Sequence, residues 1–112
     1  MAAKDITGKV LEAIEVARST GGSLKKGTNE VTKSIERQTA KLVAYAADVQ
    51  PKEIVMHLPL LAKEKGVPCV EVKSREELGN AAGITVSTAA VAIIAEGDAK
   101  AIVKEIKDEL GA

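Results

Sequence analysis

Gly27-Thr28-Asn29-Glu30 is the run in this sequence best equipped for chemistry. A glycine lets the backbone turn sharply or come close to a ligand. Asn29 carries both a donor and an acceptor. Glu30 can accept two hydrogen bonds, as from the Watson–Crick or sugar edge of a guanine. Lys33 and Arg37 follow at successive turns, on one face of any helix that begins here. The mouth of that helix would offer unpaired N–H groups and partial positive charge, which favour a phosphate. Such a face can read RNA, with the helix end on the backbone, Asn and Glu on bases, and Lys and Arg on phosphates. An ordinary helix with a polar cap and a glutamate in its first turn is written with the same letters. These residues by themselves leave both readings open.

A second stretch, "LGNAAGITVSTAAVAI" from Leu78 to Ile93, is informative in another way. The small residues Ala81, Ala82 and Gly83 imply close backbone packing. Ile84, Thr85 and Val86 then fall in a short loop. Apolar side chains there either cover a base that has left its stack or tuck into the core. Just upstream, "KSREEL" places Lys73 and Arg75 as solvated surface charges or as a phosphate clamp.

Other chemistries find no support. "GTNEVTK" lacks the second glycine and the Lys-Ser/Thr pair of a phosphate loop, and no GxGxxG follows a strand. The lone histidine, His57, has no cysteine or carboxylate at zinc-binding spacing. Ser87 and Thr88 lack a recognisable base, and no carboxylate pair stands out. Neither a catalytic residue, a metal site nor a cofactor is expected. With one Tyr and no Phe or Trp, the chain has no aromatic platform on which bases could stack. Net charge is zero, which disfavours a general nucleic-acid binder. The distribution is uneven, however. Residues 23–41 hold five basic and two acidic side chains, whereas 96–112 hold three lysines against five acids. The single cysteine, Cys69, excludes an internal disulfide and is expected to be buried and inert. No apolar run approaches a membrane span and no signal peptide precedes Asp5, so a cytoplasmic protein is expected.

The elements that must position these residues follow from periodicity. A chain of 112 residues suits a single domain over 1–112. Residues 5–19 place Ile6, Val10, Ala13, Ile14 and Ala17 on one helical stripe, and Thr20-Gly21-Gly22 ends the helix. Leu24–Lys26 is a short strand. A second helix runs from Asn29 to Thr39, capped by Thr28 or Asn29, with Val31, Ile35 and Thr39 turned inward. "KLVAYAA" is a buried strand. Pro51 opens a third helix in which Pro59 predicts a kink or a break, and Gly66 is its stop. "VPCVEV" is a strand, Ser74 caps the helix "REELGNAAG", "AAVAIIA" is a strand, and "GDAKAIVKEIKDEL" is an amphipathic last helix. This alternation predicts an α/β fold, a three-layer α/β/α sandwich around a small mixed four-stranded sheet.

"KKGTNEVTKSIER", "DVQPKEIVMHLPLLAKEKGVP" and "LGNAAGI", in this order, closely resemble the archaeal ribosomal protein L7Ae family over most of the chain from Leu11 onward. The resemblance implies an α/β/α sandwich that binds kink-turn RNA, in which two helices bend sharply at a bulge beside tandem sheared G·A pairs. It implies that Gly27, Thr28, Asn29 and Glu30 meet those pairs, that Lys33 and Arg37 contact the adjoining backbone, and that Lys26 also belongs to the RNA-binding set. It further places Gln50 and Ile54 at an extruded nucleotide and Ile84 and Val86 in a covering loop; with Thr85 between them, and with Lys73 and Arg75 from the run above, these complete the expected RNA-binding set. Expected partners are ribosomal RNA, box C/D and H/ACA guide RNAs, ribonuclease P RNA and other ribonucleoprotein proteins, with a monomer when free. None of these roles is enzymatic. Two departures stand out. Gln38 follows "ER" where the family usually has Gly, and Thr85-Val86-Ser87 replaces a proline-containing loop, which should leave that loop less rigid. Together with the zero net charge, they motivate an alternative: a scaffolding or protein-interaction member of the same fold with lost or relaxed RNA binding.

Overall fold

The computed structural model describes residues 6–49 and 53–109. Along the chain lie α1 (Ile6–Ser19), β1 (Ser23–Lys26), α2 (Thr28–Glu36), β2 (Leu42–Ala46), α3 (Glu53–Lys65), β3 (Cys69–Val72), α4 (Arg75–Ala82), β4 (Ala90–Ala95), a 3-10 turn (Gly97–Ala99) and α5 (Lys100–Glu109). The apolar stripe of α1 packs as its spacing requires, with Val10, Ala13, Ile14 and Ala17 buried. Ser74 caps α4 by accepting the amide of Glu77 at 3.2 Å.

The four strands form one mixed sheet in the order β1-β4-β2-β3. β4 is antiparallel to both β1 and β2, and β2 is parallel to β3. β4 and β2 are buried along most of their length because helices cover both faces. α2 packs with α3, and α1 packs with α4 and α5, which gives the three expected layers. Ile35, Leu42, Leu58, Leu78, Ile93 and Ile106 are among the largest fully buried side chains. On the outside, Lys9 of α1 pairs with Glu105 at 3.4 Å and with Glu109, fastening α1 to α5.

Several local expectations are corrected. α2 ends at Glu36, and Thr39 is exposed beyond it rather than turned inward. The cap of α2 is Gly27, not Thr28 or Asn29, and no side chain caps the helix. α3 runs unbroken through Pro59; the missing N–H forfeits one bond within the helix, but packing against β2 and β3 keeps the segment helical. Cys69 is partly rather than fully buried, and burial still pushes its thiol up to about 12. The expected helix start at Pro51 lies outside the described residues.

Candidate nucleic-acid interface

Strand directions decide where the candidate residues meet. The C-terminal ends of β1, β2 and β3 lie at the same end of the sheet as the start of β4. Four connections therefore emerge together: Lys26-Gly27 after β1, residues 47–49 after β2, Lys73–Arg75 after β3, and residues 84–89 before β4. Hydrogen bonds tie them to one another. The amide of Gly27 donates to the carbonyl of Ala90 at 2.9 Å, that of Ala46 to Ala89 at 2.9 Å, and that of Ala47 to Val72 at 2.8 Å.

Gly27 turns the chain from β1 into α2 with φ 96° and ψ 148°, a conformation open to glycine and strained for other residues. The first bond of the helix runs from the amide of Val31 to the carbonyl of Gly27 at 3.0 Å. The amides of Thr28, Asn29 and Glu30 thus have no helical or side-chain partner among the described residues. Lys26, Asn29, Glu30, Lys33 and Arg37 are all exposed, while Gly27 and Thr28 are half-buried. No ion pair among the described residues engages Lys25, Lys26, Lys33 or Arg37, which leaves their charge open to solvent. Lys33 lies just over a turn below the mouth. Arg37 stands at the far end of α2, about 13 Å from Thr28 at 1.5 Å per residue, and is the candidate most distant from the strand ends.

Thr32 bridges α2 to α3. Its hydroxyl donates to the carbonyl of Thr28 at 2.7 Å, and its oxygen lies 2.8 Å from Nε2 of His57. The hydroxyl has one proton, so with that proton directed at Thr28 the His57 Nε2–H is the donor. This bond joins α2 to α3 at the surface, one turn along from Ile54. Ile54 belongs to α3, but its side chain and all of Gln50 lie outside the described residues.

The 84–89 loop is held at both ends. α4 closes with the amide of Gly83 bonded to Asn80 and that of Ile84 to Gly79, each at 3.1 Å, and the amide of Thr88 reaches back to the carbonyl of Arg75 at 3.3 Å. The buried hydroxyl of Thr88 donates to Ala90 at 3.1 Å. Midway, the backbone at Val86-Ser87 crosses Gly79 so closely that a methyl group there would overlap the Val86 carbonyl. The loop, without the usual proline, is thus held by hydrogen bonds at its ends and by this close crossing at Gly79. Between the alternatives for the apolar side chains, Val86 settles as surface at 67% exposure; Ile84 is half-buried and Thr85 exposed.

Lys73 is exposed. Arg75 is engaged, because Asp48 accepts its backbone N–H at 2.9 Å and lies 3.5 Å from its Nε. Asp48, Arg75, Glu76, Asn80, Thr85, Val86 and Ser87 bound a cleft of about 390 Å³. Asp48, Thr32 and Gly79 are site-building residues that spacing alone did not single out. Each acts on an element remote in sequence, and only the small-residue run around Gly79 carried a signal. Among the described residues no cluster of His, Cys, Asp or Glu could hold a metal ion, and no helix is long and apolar enough to cross a membrane.

Comparison with known proteins agrees with this architecture. The large ribosomal subunit protein eL8 from two strains of Halobacterium salinarum is 54% identical over 106 residues, covering 95% of this chain and 88% of that protein. The structure of a Giardia lamblia 15.5kD RNA binding protein superposes with a TM-score of 0.88 at 34% identity, covering 99% of this chain and 92% of the other. The model of the ribosomal protein L7Ae/L30e/S12e/Gadd45 family matches residues 8–103. A resemblance first carried by three short motifs thus extends over nearly the whole chain, and the chain belongs to this family of ribosomal proteins, not to a family of enzymes.

Proposed function

We infer that this chain binds RNA of the kink-turn class, reading tandem sheared G·A pairs through Asn29 and Glu30. The observation that carries this reading is the exposed, uncapped mouth of α2. There, free amides, Asn29 and Glu30 stand beside unpaired lysines, and the Gly27 amide fixes them to the end of the 84–89 loop. A phosphate suits the amides, base edges suit Asn29 and Glu30, and further phosphates suit Lys26, Lys33 and Arg37. Ile84, Thr85 and Val86 then cover an extruded nucleotide that Gln50 and Ile54 are also proposed to contact. The names of the relatives support the choice of ligand, one being a large-subunit ribosomal protein and another an RNA binding protein. Ribosomal RNA in the cytoplasm is the first partner this suggests. Box C/D and H/ACA guide RNAs and ribonuclease P RNA are further candidates, since a reader of one local RNA shape serves wherever that shape occurs.

A gel-shift titration tests this, using a kink-turn stem beside the same stem with its G·A pairs replaced by Watson–Crick pairs. The intact stem should bind far more tightly. Equal affinity would overturn specific recognition and favour the scaffolding alternative.

A further inference from the structure

We propose that Asp48 is a positioning residue for the RNA site, holding the covering loop in place and keeping the charge of Arg75 from the RNA. The proposal rests on the RNA-binding reading above for its ligand. Its geometric part stands apart from that reading.

The Asp48 carboxylate comes from the connection between β2 and α3, two residues before Gln50. It accepts the backbone N–H of Arg75 at 2.9 Å, at the first residue of α4. The carbonyl of that same Arg75 accepts the amide of Thr88 at 3.3 Å. One residue therefore links the α3 side of the site to the far end of the 84–89 loop. Asp48, Arg75, Thr85 and Val86 also bound one cleft, so a shift at Asp48 is felt where the loop faces outward. The second contact is electrostatic. Arg75 Nε lies 3.5 Å from Asp48 Oδ1, and both side chains are about half exposed. A pair so exposed contributes little to stability. What it does is oppose the Arg75 charge, so that this guanidinium adds little to the attraction of a phosphate.

The two roles separate in two substitutions that carry the same charge. Asp48→Asn retains an oxygen for the Arg75 N–H but releases the guanidinium. Asp48→Ala removes the oxygen as well. Without RNA, hydrogen exchange at the Thr88 amide should be faster in Asp48→Ala than in Asp48→Asn, with thermal melts showing both folded. Equal exchange would overturn the positioning role, whatever the RNA result. With a kink-turn stem, Asp48→Asn should bind at least as tightly as wild type. Its salt dependence should be steeper by about one phosphate contact, roughly 0.7–0.9 in log–log slope; an unchanged slope would overturn the charge role. Asp48→Ala should bind that stem about three- to tenfold more weakly than Asp48→Asn, the worth of one hydrogen bond. On a stem carrying an abasic residue in place of the extruded nucleotide, the two variants should bind equally. A loss of the same size on both stems would mark Asp48 as a general structural residue and overturn the proposal. Failure of the RNA-binding reading is seen elsewhere, in wild type that does not distinguish the stem from its Watson–Crick counterpart.

Discussion

The amide of Gly27 donates to the carbonyl of Ala90 across 2.9 Å, joining the turn that opens α2 to the first residue of β4. The motif that begins at Gly27 and the loop that ends at Ala89 are thus neighbours by virtue of one backbone bond, although more than sixty residues separate them.

Replacing Gly27 by alanine tests what this junction demands. Nothing lies within 4 Å of the position a Cβ would take, so crowding is not the issue. The strain lies in the backbone, at φ 96°, and should cost about 1–3 kcal/mol. The urea midpoint should fall with an unchanged slope. A midpoint equal to wild type would mean that the turn relaxes freely.

Glu30→Ala distinguishes a base contact from a helix-end charge. Removing an exposed carboxylate ordinarily favours anion binding. If Glu30 accepts from a guanine edge, affinity for the kink-turn stem should instead fall by about 1–3 kcal/mol, as it should for Asn29→Ala. Both side chains are exposed, so melting temperatures should barely move. Tighter binding by Glu30→Ala would remove it from the interface.

Lys33→Ala and Arg37→Ala should weaken the intact and the altered stem alike, because phosphate contacts carry no sequence. Each lost contact should reduce the salt slope by roughly 0.7–0.9. Arg37, at the remote end of α2, is the sharper test of how far the RNA extends. An unchanged slope in its variant would confine the interface to the first turns.

Gln38→Gly should stabilise the protein. α2 ends with the amide of Gln38 bonded to Ile35 and that of Thr39 to Ser34, both at 2.9 Å, an arrangement that requires a left-handed residue. Gln38 adopts it at φ 59°, the one non-glycine residue with positive φ among those described, whereas glycines serve at the ends of α1, α3 and α4. Relief of strain of about 1–2 kcal/mol outweighs the added freedom of a glycine in the unfolded chain, about 0.5–1 kcal/mol. A rise in melting temperature of a few degrees is expected; a fall would show that the glutamine side chain contributes more than its backbone costs.

Cys69 should resist alkylation at pH 8 in the native protein and react readily in urea. Burial raises its pKa to about 12, so almost no thiolate forms in the folded state. Because the folded state holds this proton more tightly than the unfolded one, stability should decline from about pH 9 upward, the range between the ordinary value and the raised one. Cys69→Ser should lose that part of the alkaline decline, and an identical decline in the variant would assign it to other groups.

Much of this architecture was legible because periodic burial and local caps act within a few residues. The stripe of α1, the Ser74 cap and the alternation of helices with strands all express short-range rules. Misreadings arose where another element decides. Thr28 and Asn29 are good capping residues, but the bond from Gly27 to Ala90 sets the turn one residue earlier. Pro59 breaks helices in isolation, yet α3 is held against β2 and β3. The candidate RNA residues were legible through the resemblance of their motifs. The Asp48–Arg75 pair and the Thr32–His57 bridge were not, since neither spacing nor composition predicts partners 27 and 25 positions apart.

β4, the last strand in the chain, lies between β1 and β2. As a nascent chain emerges, the first strand therefore has no sheet partner until residues 90–95 have been made. Helices can form early, since their contacts are local, but closing the sheet requires a contact across most of the chain, which is slow to find. The mouth of α2 hangs on the carbonyl of Ala90 and is completed at that same moment. A truncated product of synthesis, ending before β4, would carry the whole Gly27–Arg37 motif and still lack the frame that presents it.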